Sequence, residues 1–455
     1  MKYLIRNGVI VTPANTFKAD VLVDDGAIQA IGARLSEEGD NLKVIDAAGK
    51  YVLPGAIDVH THMALPFGGT VSSDDFADGT AAAAFGGVTT IIDFAIQAKG
   101  ESLAQTVSKR RSLADGMVYI DYGLHVSITD FTPAALEEMV DIIKAGCPTF
   151  KLFMVYPDWA ADDYTLLNAI KKASKNGGMI GVHAENINLV TRNVAELLAA
   201  GHIEPKYHEV SRPDYVEAEA VGRAIMWAQV GEGKLYVVHL STAKGLEKIR
   251  QAQRQGYPIM CETCPQYLLL TKERYLEPDF NGAKYVMSPP LRSDGDREAL
   301  WKGLAAGEIR VVGSDHCPFS MDQKKLGIAG FDKIPNGAPG VETTLMLLHS
   351  EGVLKGRITL EKMVEVTSQN PAKIFGLGRK GAIEVGKDAD LVIFDPNLRK
   401  RLGTATLHTK NDYSPYEGLE VTGAPVLTMA RGAIVCDNGK LTGSKGWGRF
   451  VERKL

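Results

Sequence analysis

Short apolar runs alternate with amphipathic segments through the middle of the chain. Eight of these runs are rich in strand-forming residues, and they occupy residues 56–62, 88–95, 121–128, 149–156, 179–186, 234–241, 257–264 and 309–316. The segments between them, such as TPAALEEMVDIIKAG and TAKGLEKIRQAQRQG, place apolar residues at helical spacing. Eight strand–helix units in succession predict an α/β fold of the (β/α)8 TIM-like barrel type.

The two ends of the chain have a different pattern, in which short strand-like runs are separated by turn residues. Strand-rich ends on either side of a different middle predict a small β-sandwich domain formed by the N- and C-terminal segments. We expect residues 1–53 to form the first part of this sandwich and residues 54–375 to form the barrel. Residues 376–440 would complete the sandwich, and residues 441–455 would form a C-terminal tail, a candidate for a subunit interface.

Composition and charge narrow the class of protein. The 455 residues are 45% hydrophobic and 23% charged, so the chain can bury a large core. Its net charge of -4 gives no argument for nucleic acid or an acidic membrane as a partner, and we expect neither. Five cysteines, an odd number, are unlike a secreted disulfide framework. Arg6 and Asn7 interrupt the apolar N-terminus, which is unlike a signal peptide, so we expect a cytoplasmic protein.

Polar side chains that could bind a metal lie in or at the ends of five of the eight runs. Because side chains two apart on a strand share a face, His60 and His62 should both point into the barrel mouth. Barrels of this type collect their catalytic groups at the ends of the strands. The candidates are His60 and His62 in run one, Lys151 in run four, His183 in run five, His239 in run six and Asp315 in run eight.

These residue types suit a pair of metal ions. Histidine favours a zinc-class ion, and a carboxylate can act as ligand and proton acceptor at once. As an ammonium, Lys151 would repel two dications, and as a neutral amine it could bind only one. Carboxylated by carbon dioxide, the lysine would become an anion with two oxygens that can bridge. An isolated HxH pair or a lone core lysine would be unremarkable, but their coincidence at similar depths favours two metals.

Other residues with metal-binding potential are interpreted as structural. His125 is a single histidine within a strand, and His316 would face away from Asp315 if the strand stays regular. Cys261 and Cys264 form a C-x-x-C without a second pair, which favours two buried thiols over a structural zinc site.

The chain resembles the dihydropyrimidinase and D-hydantoinase family, cyclic amidohydrolases of the amidohydrolase superfamily. The resemblance runs from about residue 55 to residue 342, and both flanking β-segments are also similar to the family. Cys261 is a departure, because many relatives have glycine there. The motifs that carry the resemblance are GAIDVHTH, TFKLFMVY, GVHAEN, YHEVSRP, VVHLST, CETCPQYL, SPPLR, GSDHCPF and IPNGAPGVE.

The resemblance implies two Zn²⁺ per subunit, with Mn²⁺ or Co²⁺ as alternatives, bridged by hydroxide and by Lys151 as N6-carboxylysine. It implies that His60, His62 and Asp315 bind the more buried metal. The other metal would be bound by His183 and His239. The family commonly forms tetramers, so we expect a homotetramer.

The resemblance also implies roles around the substrate. Tyr156 would stabilise the tetrahedral intermediate, and Asp315 would act as general base and then as general acid. Ser288 and Asn336 match positions whose backbone groups hold the ring amide. The remaining substrate-binding candidates are similar to the family's gate for the exocyclic group: Leu65, Phe67, Phe153 and Trp159.

The predicted function is hydrolysis of the cyclic amide bond of 5-substituted hydantoins, dihydropyrimidines or both, giving N-carbamoyl amino acids. Three alternatives stay open at this point. Dihydroorotase relatives carry an arginine where this chain has Ala64. An allantoinase would have to bind a polar ureido group beside apolar gate residues. A catalytically inactive dihydropyrimidinase-related scaffold would have lost metal ligands, which are intact here.

Overall fold

The N-terminal strands lie outside the barrel. They belong to a computed structural model that describes residues 1–36 and 41–455. Their bounds are β1 (Lys2–Arg6), β2 (Val9–Val11), β3 (Thr16–Lys18), β4 (Asp20–Asp24), β5 (Ala27–Gly32), β6 (Leu42–Asp46) and β7 (Tyr51–Pro54).

The middle of the chain forms the barrel and one short hairpin, β9–β10. Within the described residues, β8 and β11 to β17 form a parallel sheet of eight strands in the order β17-β16-β15-β14-β13-β12-β11-β8. A parallel bridge between Thr61 and His316 joins the two edges of this sheet and nearly closes it, as the sequence predicted. The strands are β8 (Ala56–Thr61), β9 (Pro66–Phe67), β10 (Thr70–Val71), β11 (Val88–Ile96), β12 (Asp121–Ser127), β13 (Thr149–Phe153), β14 (Met179–His183), β15 (Leu235–Val237), β16 (Ile259–Thr263) and β17 (Val311–Val312).

Helices connect the strands, and several begin at a polar capping residue. The side chains of Ser102 and Ser293, for example, accept hydrogen bonds from the first turns of α2 and α10. No helix within residues 1–36 and 41–455 is long and apolar enough to cross a membrane. The helices are α1 (Phe76–Phe85), α2 (Leu103–Ala114), α3 (Pro133–Lys144), α4 (Asp163–Lys175), α5 (Ile187–Ala199), α6 (Tyr207–Ser211), α7 (Asp214–Val230), α8 (Ala243–Arg254), α9 (Pro265–Leu269), α10 (Asp294–Ala306), α11 (Met321–Lys324), α12 (Thr344–Leu347), α13 (Leu360–Val364) and α14 (Asn370–Phe375).

Short turns of other helix types complete the connections. The 3₁₀-helices span Lys272–Leu276, Asn281–Tyr285, Lys325–Gly327 and Phe331–Lys333. Two π-helical turns, Leu348–Val353 and Glu365–Gln369, continue α12 and α13.

Both ends of the chain build the second domain. Its last strands are β18 (Leu391–Arg401), β19 (Glu420–Ala430), β20 (Ala433–Asp437) and β21 (Lys440–Leu441). Among the described residues, one sheet has the order β5-β4-β1-β6 and the other has the order β21-β20-β19-β18-β7-β2-β3. Ile5 and Val21 from the first sheet share a buried core with Ile10, Val52 and Ile393 from the second. The predicted sandwich formed from both termini is therefore confirmed.

The C-terminal tail packs against the barrel of its own chain. The backbone N–H of Tyr122 donates to the carbonyl of Arg449 at 3.0 Å, and that of Val451 donates to the carbonyl of Tyr122 at 2.8 Å. Arg453 is buried and donates to Thr149 Oγ1 at 2.8 Å. Because Tyr122 and Thr149 lie at strand beginnings, the tail covers the N-terminal end of the barrel. The domain boundaries at 53/54, 375/376 and 440/441 stay predictions.

Two barrel strands are shorter than the apolar runs that predicted them. The sixth run ends its regular strand at Val237, and the eighth run contributes only Val311–Val312. His239 and Asp315 lie beyond these strands with φ values of 37° and 52°. Since a left-handed residue interrupts the regular alternation of a strand, alternation cannot predict where these two side chains point.

Candidate metal centre and active site

The four predicted histidines form one continuous row at the C-terminal end of the barrel. The ring centroids of His62 and His60 are 5.1 Å apart, those of His60 and His239 are 5.2 Å apart, and those of His239 and His183 are 4.4 Å apart. Burial holds the pKa of His60, His183 and His239 below the usual range. These imidazoles are therefore neutral near pH 7, and each has a lone pair available for a cation.

Asp315 joins this row at the end that contains His60 and His62. Its Oδ1 lies 3.2 Å from Nε2 of His60 and 3.4 Å from Nε2 of His62. One ligand atom from each of the three residues lies within 4.8 Å of the others. Within the described parts of the chain, the buried atoms His60 Nε2, His62 Nδ1 and His239 Nδ1 have no hydrogen-bond partner. A site with two nitrogens, one carboxylate and unpartnered buried atoms fits a zinc-class cation.

Lys151 lies in β13 and lines the same cavity as the histidines. Its Nζ is 5.0 Å from the ring centroid of Phe94 and 5.3 Å from that of Phe153. The lysine is almost fully buried, and burial lowers its pKa to about 8. A buried lysine that lies beside apolar rings is unusual, because desolvation disfavours its ammonium form.

The backbone is strained at several of these positions. Tyr156, Ala64, His239 and Asp315 have φ values of 68°, 46°, 37° and 52°. Such conformations cost of order 1–3 kcal/mol each in residues other than glycine. The surrounding structure has to compensate for this cost at the cavity-lining residues Tyr156, His239 and Asp315.

A cavity opens above the row of histidines. Its mixture of apolar walls with a few polar groups is typical of small-molecule sites. Every residue that the sequence predicted for metal or substrate binding lines it: His60, His62, Leu65, Phe67, Lys151, Phe153, Tyr156, Trp159, His183, His239, Ser288, Asp315 and Asn336.

Aromatic rings form one wall of this cavity. The ring centroids of Phe153 and Trp159 are 5.0 Å apart, and those of Phe67 and Tyr156 are 5.5 Å apart. Burial raises the pKa of Tyr156 to about 12, so its hydroxyl keeps its proton at neutral pH and can donate a hydrogen bond. The wall therefore combines an apolar surface with one fixed polar donor.

Ser288 and Asn336 approach the cavity from two different loops. The loops are joined by a hydrogen bond of 3.0 Å from the N–H of Gly337 to the carbonyl of Val286. In the residues that the structure describes, the buried Oδ1 of Asn336 has no hydrogen-bond partner, so it is free to meet a ligand. Neither loop contains a regular strand, and neither position could be found from periodicity.

Glu262 is a site residue that the sequence analysis missed. Its carboxylate accepts hydrogen bonds from Nδ1 of His60, from the hydroxyl of Tyr236 at 2.8 Å and from the N–H of His239 at 3.2 Å. Burial raises the pKa of Glu262 and lowers that of His60, because each charged form loses its hydration. The sequence signal for Glu262 was a carboxylate inside the buried seventh run, because a buried carboxylate requires a hydrogen-bonding or charged partner.

Glu185 and Arg212 form a second group that the sequence analysis missed. Nε2 of His183 donates to Oε2 of Glu185 at 2.6 Å, and Nη1 of Arg212 donates to the same oxygen at 2.7 Å. Despite its burial, Arg212 and His183 hold the pKa of the Glu185 carboxyl well below its usual range. The Arg212 guanidinium lies 5.9 Å from the ring centroid of Tyr156. The sequence signal was Glu185 in GVHAEN, two residues after His183.

Residues interpreted as structural lie apart from the row. His125 bonds to Thr149 Oγ1 at 2.7 Å and to the carbonyl of Val59 at 3.1 Å. His316 lies 3.1 Å from Asp74 rather than facing the metal ligands. The cysteines Cys261 and Cys264 are buried free thiols, as the sequence predicted.

Comparison with known proteins supports the predicted family and fold over the whole chain. The model of the amidohydrolase family matches residues 51–435. D-hydantoinase of Geobacillus stearothermophilus is 46% identical over 457 residues, with 100% of this chain and 97% of the relative covered. The crystal structure of dihydropyrimidinase from Brevibacillus agri NCHU1002 is 44% identical, with a TM-score of 0.98 and coverage of 100% of this chain and 99% of that one.

A more distant structure shares the fold. L-hydantoinase (dihydropyrimidinase) from Arthrobacter aurescens is 33% identical, with a TM-score of 0.90 and 99% of each chain covered. The match to the family model, the identities and the full-length coverage agree with the barrel fold. The chain belongs to the amidohydrolase family and, within it, to the dihydropyrimidinase and D-hydantoinase group.

Proposed function

We propose that the protein hydrolyses the ring amide of 5-substituted hydantoins and dihydropyrimidines and releases N-carbamoyl amino acids. The observation that carries this proposal is the single cavity in which four imidazoles, Asp315 and Lys151 lie beneath an aromatic wall. A cavity with apolar walls above such a set of ligands suits an electrophilic carbonyl in a small cyclic substrate.

The metal centre is the first part of the proposal. His60, His62 and Asp315 would hold one Zn²⁺, and His183 and His239 would hold the other, with Mn²⁺ or Co²⁺ as alternatives. Unpartnered buried nitrogens and the neutral state of the imidazoles support this assignment. When bound, two such cations polarise a carbonyl and lower the pKa of a shared water.

Lys151 is proposed as the bridge between the two metals, in its carboxylated form. The amine would form an N–C bond with carbon dioxide and lose a proton, which gives an anion with two oxygens. The support is the position of Lys151 within the cavity that the histidines line, and its burial beside Phe94 and Phe153.

The chain's own residues have distinct roles in the proposed reaction. Asp315 would take a proton from the attacking water and deliver it to the leaving ring nitrogen. The Tyr156 hydroxyl, protonated at neutral pH, would donate to the oxygen of the attacked carbonyl as negative charge develops there. The new carboxylate would come from that carbonyl. Backbone groups of Ser288 and Asn336 would hold the ring amide.

The aromatic wall is proposed to receive the exocyclic substituent of the substrate. Leu65, Phe67, Phe153 and Trp159 provide an apolar surface, which suits an alkyl or aryl group at position 5. Higher identity to the D-hydantoinase of Geobacillus stearothermophilus than to the L-hydantoinase supports a preference for D-enantiomers.

The alternative activities are not favoured. The same apolar wall suits the polar ureido group of allantoin poorly, and Ala64 offers no cation for the carboxylate of dihydroorotate. An inactive scaffold would have no need for a complete set of ligand side chains that line one cavity.

We also propose a homotetramer in the cytoplasm. Buried free cysteines support a reducing compartment. Exposed apolar side chains on α6 and α7, among them Val210, Tyr215 and Met226, support association between subunits. Sedimentation analysis and fractionation of the native host would test these two statements.

A substrate panel tests the proposed activity. Hydantoin, dihydrouracil, both enantiomers of 5-phenylhydantoin, allantoin and dihydroorotate would be compared with the metal-loaded protein at equal concentration. We expect N-carbamoyl products from the first three substrates, and Asp315→Asn serves as the inactive control. Turnover restricted to allantoin or dihydroorotate, or no turnover with both metals bound, would refute the proposal.

A further inference from the structure

Lys324 is a fully buried lysine that belongs to neither the metal centre nor the substrate wall. It ends the short helix α11, and its side chain is 0% exposed. Its Nζ donates hydrogen bonds to the carbonyls of Val286 at 2.8 Å, Pro335 at 2.6 Å and Gly337 at 2.7 Å. Three acceptors around one nitrogen require three N–H donors, which only the ammonium form provides.

This buried cation is held by dipoles rather than by a carboxylate. Within residues 1–36 and 41–455, Lys324 forms no ion pair, and its Nζ lies 5.8 Å from the ring centroid of Phe319. Burial lowers the pKa of Lys324 to about 7. The three carbonyl acceptors around Nζ are hydrogen-bond partners of the ammonium form and so favour it. Because an unpaired buried cation is costly, its contacts require an explanation beyond packing.

The three carbonyls belong to the two loops that carry Ser288 and Asn336. Val286 lies two residues before Ser288, and Pro335 and Gly337 are the immediate neighbours of Asn336. The N–H of Gly337 also donates to the carbonyl of Val286, so both loops meet at one point and Lys324 lies behind it. The Lys324 ammonium therefore bridges the two loops, in addition to their direct hydrogen bond.

The preceding residue, Gln323, connects a further segment of the cavity wall to the same helix. Its Nε2 donates to Thr70 Oγ1 and to the carbonyl of Val71, both at 2.7 Å. These residues form β10 of the hairpin that carries Phe67. Helix α11 thus contacts three of the chain segments that line the cavity.

We propose that Lys324 is a positioning residue, whose ammonium fixes the spacing between the Ser288 and Asn336 loops so that their backbone groups match the ring amide of the substrate. This inference rests on the proposed function, which assigns these two loops to the ring. Because the contacts are made to the substrate-binding backbone and not to the metal ligands, loss of the ammonium should weaken substrate binding and leave the metal centre intact.

The first test uses Lys324→Met, which leaves an unbranched, slightly shorter apolar side chain and removes all three donors. With zinc-loaded enzyme we expect KM for hydantoin and for dihydrouracil to rise about ten-fold, with kcat within about three-fold of wild type and zinc content unchanged. Both substrates should be affected alike, because the loops hold the ring and not the substituent.

Two matched controls separate positioning from general stability. Lys325→Met removes the neighbouring exposed lysine, which pairs with Asp322 at 2.9 Å, and should change neither KM nor thermal stability. Lys380→Met removes another buried lysine, held by Asp121, Asp388 and Asp390 away from the cavity. It should lower the melting temperature without raising KM. An equal KM in Lys324→Met and Lys380→Met would overturn the inference.

Hydrogen exchange gives a readout that does not depend on activity. In the zinc-loaded Lys324→Met variant, amides in peptides covering residues 284–290 and 333–340 should exchange faster than in wild type, whereas barrel strands should not change. Faster exchange in an enzyme that does not hydrolyse cyclic amides would support the loop contact and refute only the proposed function. Unchanged exchange together with unchanged KM would overturn the role of Lys324.

A milder variant keeps the test decisive if Lys324→Met does not fold. Lys324→Gln retains two N–H donors on a shorter side chain and should raise KM about three-fold, with faster exchange in the same two peptides. Wild-type KM and wild-type exchange in this variant would contradict the inference.

Discussion

The carboxylate of Glu262 forms a hydrogen bond with Nδ1 of His60, and both side chains are almost completely buried. Because Nδ1 is committed to this bond, Nε2 of His60 is the nitrogen that faces Asp315, at 3.2 Å. Glu262 also accepts from Tyr236 and from the backbone of His239. One carboxylate thus orients a proposed ligand of each metal, through a side chain in one case and through the backbone in the other.

Replacement of this carboxylate should weaken metal binding before it affects anything else. Glu262→Gln should lower zinc affinity about 10- to 100-fold, because the imidazole of His60 loses the partner that fixes its orientation. Competition with a chromophoric chelator measures this affinity. Tyr236→Phe, which removes only the bond to the other oxygen of Glu262, should have a smaller effect. Wild-type zinc affinity in Glu262→Gln would show that the bond does not orient the ligand.

Lys151→Ala should lose bound metal and activity together, because the proposed bridge between the metals disappears. Short carboxylic acids added to the variant should partly restore both, since they can supply two oxygens in the space of the missing side chain. Metal analysis and hydantoin turnover, each with and without added acid, measure these effects. Lys380→Ala, which removes a buried lysine elsewhere, should keep its metals. Two metals and full activity in Lys151→Ala would rule out the bridge.

Tyr156→Phe should lower kcat about 10²- to 10³-fold, which corresponds to the loss of one hydrogen bond to a developing oxyanion. Zinc content should stay at the wild-type level, because the hydroxyl is not a proposed ligand. Tyr122→Phe is a suitable control, since that buried tyrosine bonds to Asp115 rather than lining the cavity. An unchanged kcat in Tyr156→Phe would remove this hydroxyl from the mechanism.

We expect His208 to lower the free energy of unfolding of the protein at acidic pH. Burial lowers its pKa to about 3 while its Nε2 donates to the carbonyl of Met287 at 2.8 Å. The unfolded histidine titrates near pH 6.5, so below about pH 6.5 the unfolded state binds a proton that the folded state does not. The contribution of His208 to the free energy of unfolding is therefore fully present above about pH 6.5, and it is lost progressively as the pH falls towards 3.

The variant His208→Gln tests this dependence, because its amide can donate to the same carbonyl and does not titrate. Between about pH 6.5 and pH 4.5 the wild type should lose about 2–3 kcal/mol of stability through this residue. Thermal unfolding at several pH values should therefore show a smaller acid-induced fall in melting temperature for His208→Gln. Parallel pH profiles for the two proteins would contradict the assignment.

The sequence was sufficient to predict the barrel and the clustering of the candidate ligands at one end of it, because both predictions follow from periodicity. His60 and His62 lie two apart on one strand, and strands of a parallel barrel end at the same edge. Glu262 and Lys324 could not be predicted in this way, since their roles arise from contacts between segments far apart in the sequence. The short eighth strand was also hidden, because Asp315 reaches the cavity through a left-handed backbone that no alternation pattern reveals.

The central claim is that two metal ions in this cavity support cyclic amide hydrolysis. Titration of the metal-free protein with zinc, followed by the rate of N-carbamoylglycine formation from hydantoin, tests it most directly. The rate should rise with added zinc and reach its plateau at two equivalents per chain. A plateau at one equivalent, or no product when two equivalents are bound, would contradict the claim.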